Sequence, residues 1–202
     1  MSRRLLVATG SQHKLDELRE LLELPATELV SLADLGLAGD APEDGETFEE
    51  NARFKALWYA RLSGLPTLAD DSGLEVDHLD GRPGVRTRRF AGEDATDDQN
   101  NMHLLRLLAG VPPEQRGARY RCVLAFVGPD DVVEVSDGSL EGRIALEPRG
   151  AGGFGYDPIF EPADEPIGGR TVGQLTPAQK NAISHRAEAA RAMGRLLRDR
   201  GY

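Results

Sequence analysis

Arg3-Arg4-Leu5-Leu6-Val7-Ala8-Thr9-Gly10-Ser11-Gln12-His13-Lys14-Leu15 reads as a strand, a glycine turn and the opening of a helix in direct succession. Leu5 to Ala8 are consecutive apolar residues, the pattern of a short strand buried on both faces. From Gln12 to Leu24 the leucines at 15, 18, 21 and 22 fall at helical spacing. Thr27 to Leu32 then reads as a second strand. A chain that opens strand, helix, strand predicts an α/β or α+β domain built on a mixed sheet.

The rest of the sequence keeps to that alternation. Ala33 to Glu46 is an acidic loop with Asp34, Asp40, Glu43 and Asp44. Thr47 with Glu50 three places on forms a capping box, and the helix it opens runs to Ser63 with Gly64 as its stop. Pro66 to Ala69 leads into Asp70-Asp71-Ser72-Gly73 at a strand end, and Leu74 to Asp77 alternates as a strand does. Asp80-Gly81 marks a turn before the irregular, basic stretch Arg82 to Gly92. Thr96 caps a helix to about Ala109. Arg119–Gly128 and Val132–Asp137 form a hairpin around Pro129-Asp130-Asp131, and Ser139–Leu146 adds a further strand. After the glycine-rich loop Gly150–Asp157, Thr176-Pro177-Ala178-Gln179 starts a last helix that continues to Arg200.

The 202 residues fit one domain, with 40% hydrophobic and 29% charged residues, a folded rather than a disordered composition. No apolar run approaches the roughly 20 residues of a membrane-spanning helix. The apolar stretch near the N-terminus is too short for the core of a signal peptide, and the single cysteine, Cys122, allows no internal disulfide, so the expected location is the cytoplasm. A net charge of −10 excludes nucleic-acid binding by bulk electrostatics. It leaves room for a small phosphorylated ligand. Of 24 basic residues only three are lysine, Lys14, Lys55 and Lys180, and each asks for a reason beyond surface charge. A compact ammonium binds phosphate as a point charge.

Five segments carry candidate chemistry. Thr9-Gly10-Ser11-Gln12-His13-Lys14 lies between strand and helix, where backbone N–H groups and the helix dipole favour an anion; the alternative is a turn with a surface lysine. In the helix from Thr47, residues Phe48, Ala52, Lys55, Tyr59 and Leu62 share a face, so Lys55 either snorkels to solvent or points into a polar cavity, which Asn51 would share. Asp70-Asp71-Ser72-Gly73, with Glu43 from the acidic loop, suits a hard cation such as Mg²⁺ held by one or two carboxylates and substrate phosphates; an Asp-Ser-Gly turn is the alternative. Phe154-Gly155-Tyr156-Asp157 sets two aromatics among glycines, as a base-stacking loop would. Lys180 with Ser184, and Asn181 with His185, are helical neighbours, and Arg186 adds a second cation near the same helix end.

Together these motifs, with Pro83-Gly84-Val85 and Arg89-Phe90-Ala91-Gly92-Glu93-Asp94-Ala95-Thr96, resemble the inosine triphosphate pyrophosphatase family over essentially the whole chain. The resemblance implies an elongated, two-lobed α/β domain with a central mixed sheet flanked by helices, an active-site cleft between the lobes, and a homodimer. It implies Mg²⁺-dependent hydrolysis of inosine, deoxyinosine and xanthosine triphosphates to the monophosphate and pyrophosphate. By position, Asp71 is the implied proton acceptor and metal ligand, and Glu43 the second metal carboxylate. Thr9 to Lys14 and Ser72 are implied phosphate and sugar contacts, with Lys55 near the phosphates. Phe154, Gly155, Tyr156, Asp157, Lys180, His185 and Arg186 are the implied base-holding groups.

Metal and lysines would stabilise the charge that develops on the triphosphate as water attacks the α-phosphorus. Hypoxanthine and xanthine present an acceptor oxygen at position 6 that N–H groups of Arg186 or His185 can meet, whereas adenine presents a donor and would leave them unpaired. The chain departs from the family pattern at Ser11, where asparagine is usual, and at Thr87-Arg88, where a Ser-Ala pair is usual. A nucleotide-binding regulator without turnover is the competing expectation.

Overall fold

The computed structural model describes residues 3–37 and 41–202; Asp40 of the acidic loop lies outside them. The strands are β1 (Arg3–Ala8), β2 (Thr27–Ser31), β3 (Thr67–Val76), β4 (Gly117–Val127), β5 (Val133–Ile144) and β6 (Phe160–Pro162). They form a six-stranded sheet in the order β2-β1-β3-β4-β5-β6. β1 runs parallel to β2, with Leu5 opposite Leu29, and parallel to β3, with Val7 opposite Leu68; β6 is antiparallel to β5. The sheet is therefore mixed, as expected. The helices are α1 (Gln12–Leu21), α2 (Phe48–Ser63), α3 (Asp97–Leu107), α4 (Pro177–Ile183) and α5 (His185–Asp199).

The chain divides into two compact units. The first comprises Met1–Asp71, Cys122–Gly138 and His185–Tyr202, the second Ser72–Arg121 and Ser139–Ser184. In the first unit Leu5, Val7, Leu68, Cys122, Leu124 and Phe126 pack against Leu15 and Leu18 of α1 and Ala187, Ala190 and Met193 of α5. Alternate residues of a strand face the same way, so Leu5, Val7 and Leu68 define one face and Leu6, Ala8 and Ala69 the other. In the second unit Leu74, Val76, Leu104, Leu108, Tyr120, Tyr156, Ile159 and Phe160 form a separate cluster.

The caps form as the sequence demands. Thr47 accepts from the Glu50 N–H and Glu50 accepts from Thr47, α2 ends at Gly64 in a left-handed conformation, and the same reciprocal cap opens α3 at Thr96 and α4 at Thr176. Each satisfies helix-end donors that have no partner inside the helix.

Four expectations are corrected. Asp70-Asp71-Ser72-Gly73 is neither a strand end nor a turn; β3 runs straight through it, because the buried aspartates find charged partners and the backbone has no cause to leave the sheet. Val132–Asp137 and Ser139–Leu146 are not two strands but lie largely in one, β5, which passes through Gly138. A Cβ at Gly138 would lie 2.3 Å from the His185 carbonyl oxygen, so the residue that reads as a break admits the start of α5 instead. The last helix is broken at Ser184, whose φ of −68° and ψ of 149° are extended, making it the residue from which α5 starts. Serine is favoured at such a position. Ser184 still caps α4 one turn after Lys180, its N–H donating to the Lys180 carbonyl at 2.9 Å, whereas Asn181 and His185 fall on different helices and are not neighbours on one. Leu62, assigned to the buried face of α2, is 56% exposed.

Cys122 lies within the first core and is fully buried. Burial pushes its thiol up to about 12, against the opposing pull of Arg186 and Lys14. The reactive thiolate is thereby suppressed. Ellman's reagent at about pH 8 is expected to leave native protein unlabelled and to titrate one thiol per chain once the protein is unfolded in guanidinium.

Candidate active site

The first unit gathers Lys14, Glu43, Asn51, Lys55 and Arg186 around Asp70 and Asp71, midway along β3. Asp70 and Asp71 are adjacent in an extended strand, so their side chains leave it on opposite faces. Asp70 meets Lys14 of α1, whose Nζ lies 2.7 Å from Oδ2, and Arg186 of α5 at 3.9 Å. Asp71 meets α2: the Lys55 Nζ donates to its Oδ1 at 3.1 Å and the Asn51 Nδ2 to its Oδ2 at 3.1 Å. Lys55 also donates to the Asp70 carbonyl at 3.2 Å and lies 2.5 Å from Glu43 Oε1. Lys55 is 8% exposed, so it points into the polar cluster and does not snorkel to solvent.

The two aspartates respond oppositely. Burial pushes Asp70 up, but Lys14, Arg186 and Lys55 together outweigh it and hold the carboxyl well below the usual carboxylate range. At Asp71 burial prevails over Lys55, Lys14 and the Asn51 hydrogen bond, and the carboxyl rises above its ordinary range. Lys55, which burial alone would depress, is raised by Asp71, Asp70 and Glu43. Asp70 is thus a fixed charge, and Asp71 is the carboxylate closer to exchanging a proton.

Asn51 accepts from the Gly45 N–H at 2.8 Å while donating to Asp71, which ties the segment preceding α2 to the carboxylate. Ser11 accepts from the Lys14 N–H as the cap of α1, and Thr9 Oγ1 accepts from the Ser11 N–H. Gly10, Gln12 and His13 are exposed there, and Gln12 bonds Asp16. Arg186 is 1% exposed and pairs with Glu17 of α1 at 2.5 Å; His185 beside it is buried. Glu17 was not singled out from the sequence, and a partner 169 positions away leaves no mark there.

In the second unit the glycine-rich loop is fixed at successive residues. Asp157 Oδ2 accepts from the Phe154 N–H and from Lys180 Nζ, both at 2.9 Å, and the Lys180 ammonium sits 4.2 Å from the centre of the Phe154 ring. Gly155 donates to Asp97 at 2.6 Å and accepts from Asn101 at 3.0 Å. Tyr156 is buried and donates its hydroxyl to the Thr87 carbonyl at 2.8 Å, so it is a packing residue; Phe154 is the more exposed aromatic. Thr87 Oγ1 accepts from the Leu74 N–H while Arg88 is exposed, and Ser72 is half-buried on β3. Asp97, Asn101 and Tyr120, which donates to Asp157 at 3.1 Å, were not singled out from the sequence. The helical cap at Thr96 marks where Asp97 lies, but nothing marks its partner.

The donor set around Asp71 fits a hard divalent cation. Two carboxylate oxygens, from Asp71 and Glu43, converge on one cationic nitrogen, that of Lys55. Mg²⁺ needs one or two such carboxylates, with phosphates and water completing the shell. Among the described residues no cluster of three or more His, Cys, Asp or Glu stands ready for an ion. No helix of the described residues is long and apolar enough to cross a membrane.

Known proteins similar to this chain cover nearly all of it. Residues 5–196 match the model of the Ham1 family. The chain is 48% identical over 187 residues to the dITP/XTP pyrophosphatase of Geobacter sulfurreducens, covering 92% of each, and 44% identical over 192 residues to that of Bacillus subtilis, covering 95% of this chain and 96% of that one. Among solved structures, the Ham1 protein of Staphylococcus aureus superposes with a TM-score of 0.87 at 35% identity, covering 98% of this chain and all of that one. The dITP/XTP pyrophosphatase of Mycobacterium abscessus gives 0.77 at 43% identity, covering 96% and 98%. With the family model matching nearly the whole length, the chain belongs to the Ham1 family.

Proposed function

We propose that this protein hydrolyses non-standard purine nucleoside triphosphates, ITP, dITP and XTP, to the nucleoside monophosphate and pyrophosphate, as a single Mg²⁺-dependent pyrophosphatase domain that acts as a cytoplasmic homodimer. The observation that carries the reading is the buried Asp71 carboxylate, held between Asn51 and Lys55 with Glu43 on the same ammonium. The names of the curated relatives supply the substrate class. Asp71 and Glu43 are the residues that would hold the metal. Bound there, Mg²⁺ supplies Lewis-acid stabilisation of phosphate charge.

The chain's own residues do the rest. The start of α1, from Thr9 through Lys14, presents backbone N–H groups and a cation to the phosphates, with Ser72 at the sugar. Lys14 and Lys55 bring positive charge to a substrate that carries about four negative charges, and so stabilise what develops at the α-phosphorus. Asp71 orients the attacking water and takes its proton at a carboxylate oxygen. Asp70, kept ionised by Lys14 and Arg186, holds those cations in place. Phe154 stacks on the base while Gly155, Tyr156 and Asp157 shape the loop that carries it. N–H groups of Arg186 or His185 meet the acceptor oxygen at position 6, which adenine lacks.

The decisive assay is pyrophosphate release with Mg²⁺ from ITP, XTP, GTP, ATP and dTTP at one fixed concentration. Release from ITP and XTP far above the other three is expected. Equal release from all five overturns the base selectivity, and nucleotide binding with no release from any identifies a regulator without turnover.

Asp71→Asn keeps the side-chain shape but loses the proton acceptor. Its kcat is expected to fall by at least about a hundredfold, the scale of a lost general base, while nucleotide is still bound in calorimetry. Turnover like that of the unaltered protein removes Asp71 from the chemistry.

A further inference from the structure

Asp157 is 3% exposed, and each of its oxygens is spoken for. Oδ2 takes the Lys180 ammonium and the Phe154 N–H, and Oδ1 takes the hydroxyl of Tyr120 at 3.1 Å. Tyr120 lies on β4, 37 positions earlier; the residue is 7% exposed and its ring packs on Phe160 at 4.5 Å between ring centres. The loop follows the carboxylate closely. Gly153 has a φ of +73°, and a Cβ there would lie 2.0 Å from Asp157 Oδ2, so glycine at this position leaves room for the carboxylate.

A carboxylate torsion is broad and nearly two-fold, so a bond to the other oxygen tightens the hold that Lys180 and the Phe154 N–H have on Oδ2. Tyr120 does this from a strand, which is stiffer than the loop it acts upon. Burial, and then the neighbouring Asp157 charge, push the phenol well above its ordinary range, so it remains a donor throughout the working pH range.

We propose that Tyr120 is a positioning residue for base recognition, locking Asp157 so that the Lys180 ammonium and the Phe154 ring present one fixed surface to the purine. This rests on the reading that Phe154, Asp157 and Lys180 hold the base of a non-standard purine nucleotide. Tyr120 touches no substrate; its influence passes through Asp157.

The test is Tyr120→Phe, which keeps the ring and its packing on Phe160 but removes the hydroxyl. The KM for ITP is expected to rise about five- to tenfold while kcat changes less than KM, and the preference for ITP over ATP is expected to narrow. Melting temperature, measured alongside, separates this from simple loss of stability. The double variant Tyr120→Phe/Asp157→Asn gives a second readout: if Tyr120 acts through Asp157, it is no worse in KM than Asp157→Asn alone.

An unchanged KM and an unchanged preference in Tyr120→Phe overturn the proposal, as does a double variant whose losses multiply. A fall in melting temperature with the KM intact also overturns it, since that is a purely structural role. Unaltered protein that neither hydrolyses ITP nor binds inosine monophosphate in calorimetry defeats the underlying functional reading, and the proposal with it. Unaltered protein that is active beside an identical variant defeats the proposal alone.

Discussion

Two adjacent carboxylates in a buried strand impose a constraint that much of the first unit answers. Successive side chains of β3 point to opposite faces, so one cation cannot serve Asp70 and Asp71 equally, and each face must bring its own. Lys14 and Arg186 arrive on α1 and α5, and Lys55 arrives on α2. The helices that cover the sheet are therefore also the carriers of its counter-charges. Removing one member of such a buried set typically costs about 3–5 kcal/mol, because the partner is left ionised and unpaired. That penalty specifies how these helices seat on the sheet, beyond what the apolar contacts of Leu15, Leu18 and Met193 require.

The second unit solves a similar problem with a different geometry. Asp157 and Glu161 are both 3% exposed. Glu161 pairs with Arg143 at 3.0 Å and with Arg149, the residue that leads into the glycine-rich loop. Asp157 pairs with Lys180 from the loop's far end. The loop thus runs between two buried carboxylates and is tied at Gly155 to Asp97 and Asn101 of α3. Glycines give it a path, while the polar ties remove the mobility that glycines alone would confer.

What could be read in the sequence was what is local. The caps at Thr47, Thr96 and Thr176 declare themselves because their donors and acceptors lie three residues apart. The short apolar run of β1 and the leucine spacing of α1 are likewise written in consecutive residues. Failures came where a local signal met a distant partner. Asp-Ser-Gly ordinarily turns, and here Lys55 and Lys14 keep it extended. Gly138 ordinarily interrupts a strand, and here it makes room for the His185 carbonyl. The cap at Thr176 and the residues after it read as one helix to Arg200, and nothing local marks the break at Ser184. Lys55 within an apolar stripe was a true signal, whereas Glu17 and Tyr120 carry none, because their partners lie far away in the chain.

The three lysines show why one chain uses two kinds of cation. Arginine supplies nearly all its positive charge, yet Lys14 pairs with Asp70, Lys55 with Asp71 and Glu43, and Lys180 with Asp157. An ammonium has three donors spread around a single atom, and Lys55 meets three acceptors that converge on one point: Asp71, Glu43 and the Asp70 carbonyl. A guanidinium spreads its donors across a plane and cannot close on such a point. Arg186 marks the complementary case, reaching Glu17 and Asp70 through different nitrogens of one fork. The choice between lysine and arginine at these positions is therefore set by the shape of the acceptor cluster, and an exchange at Lys55 conserves charge while losing the geometry that holds Asp71.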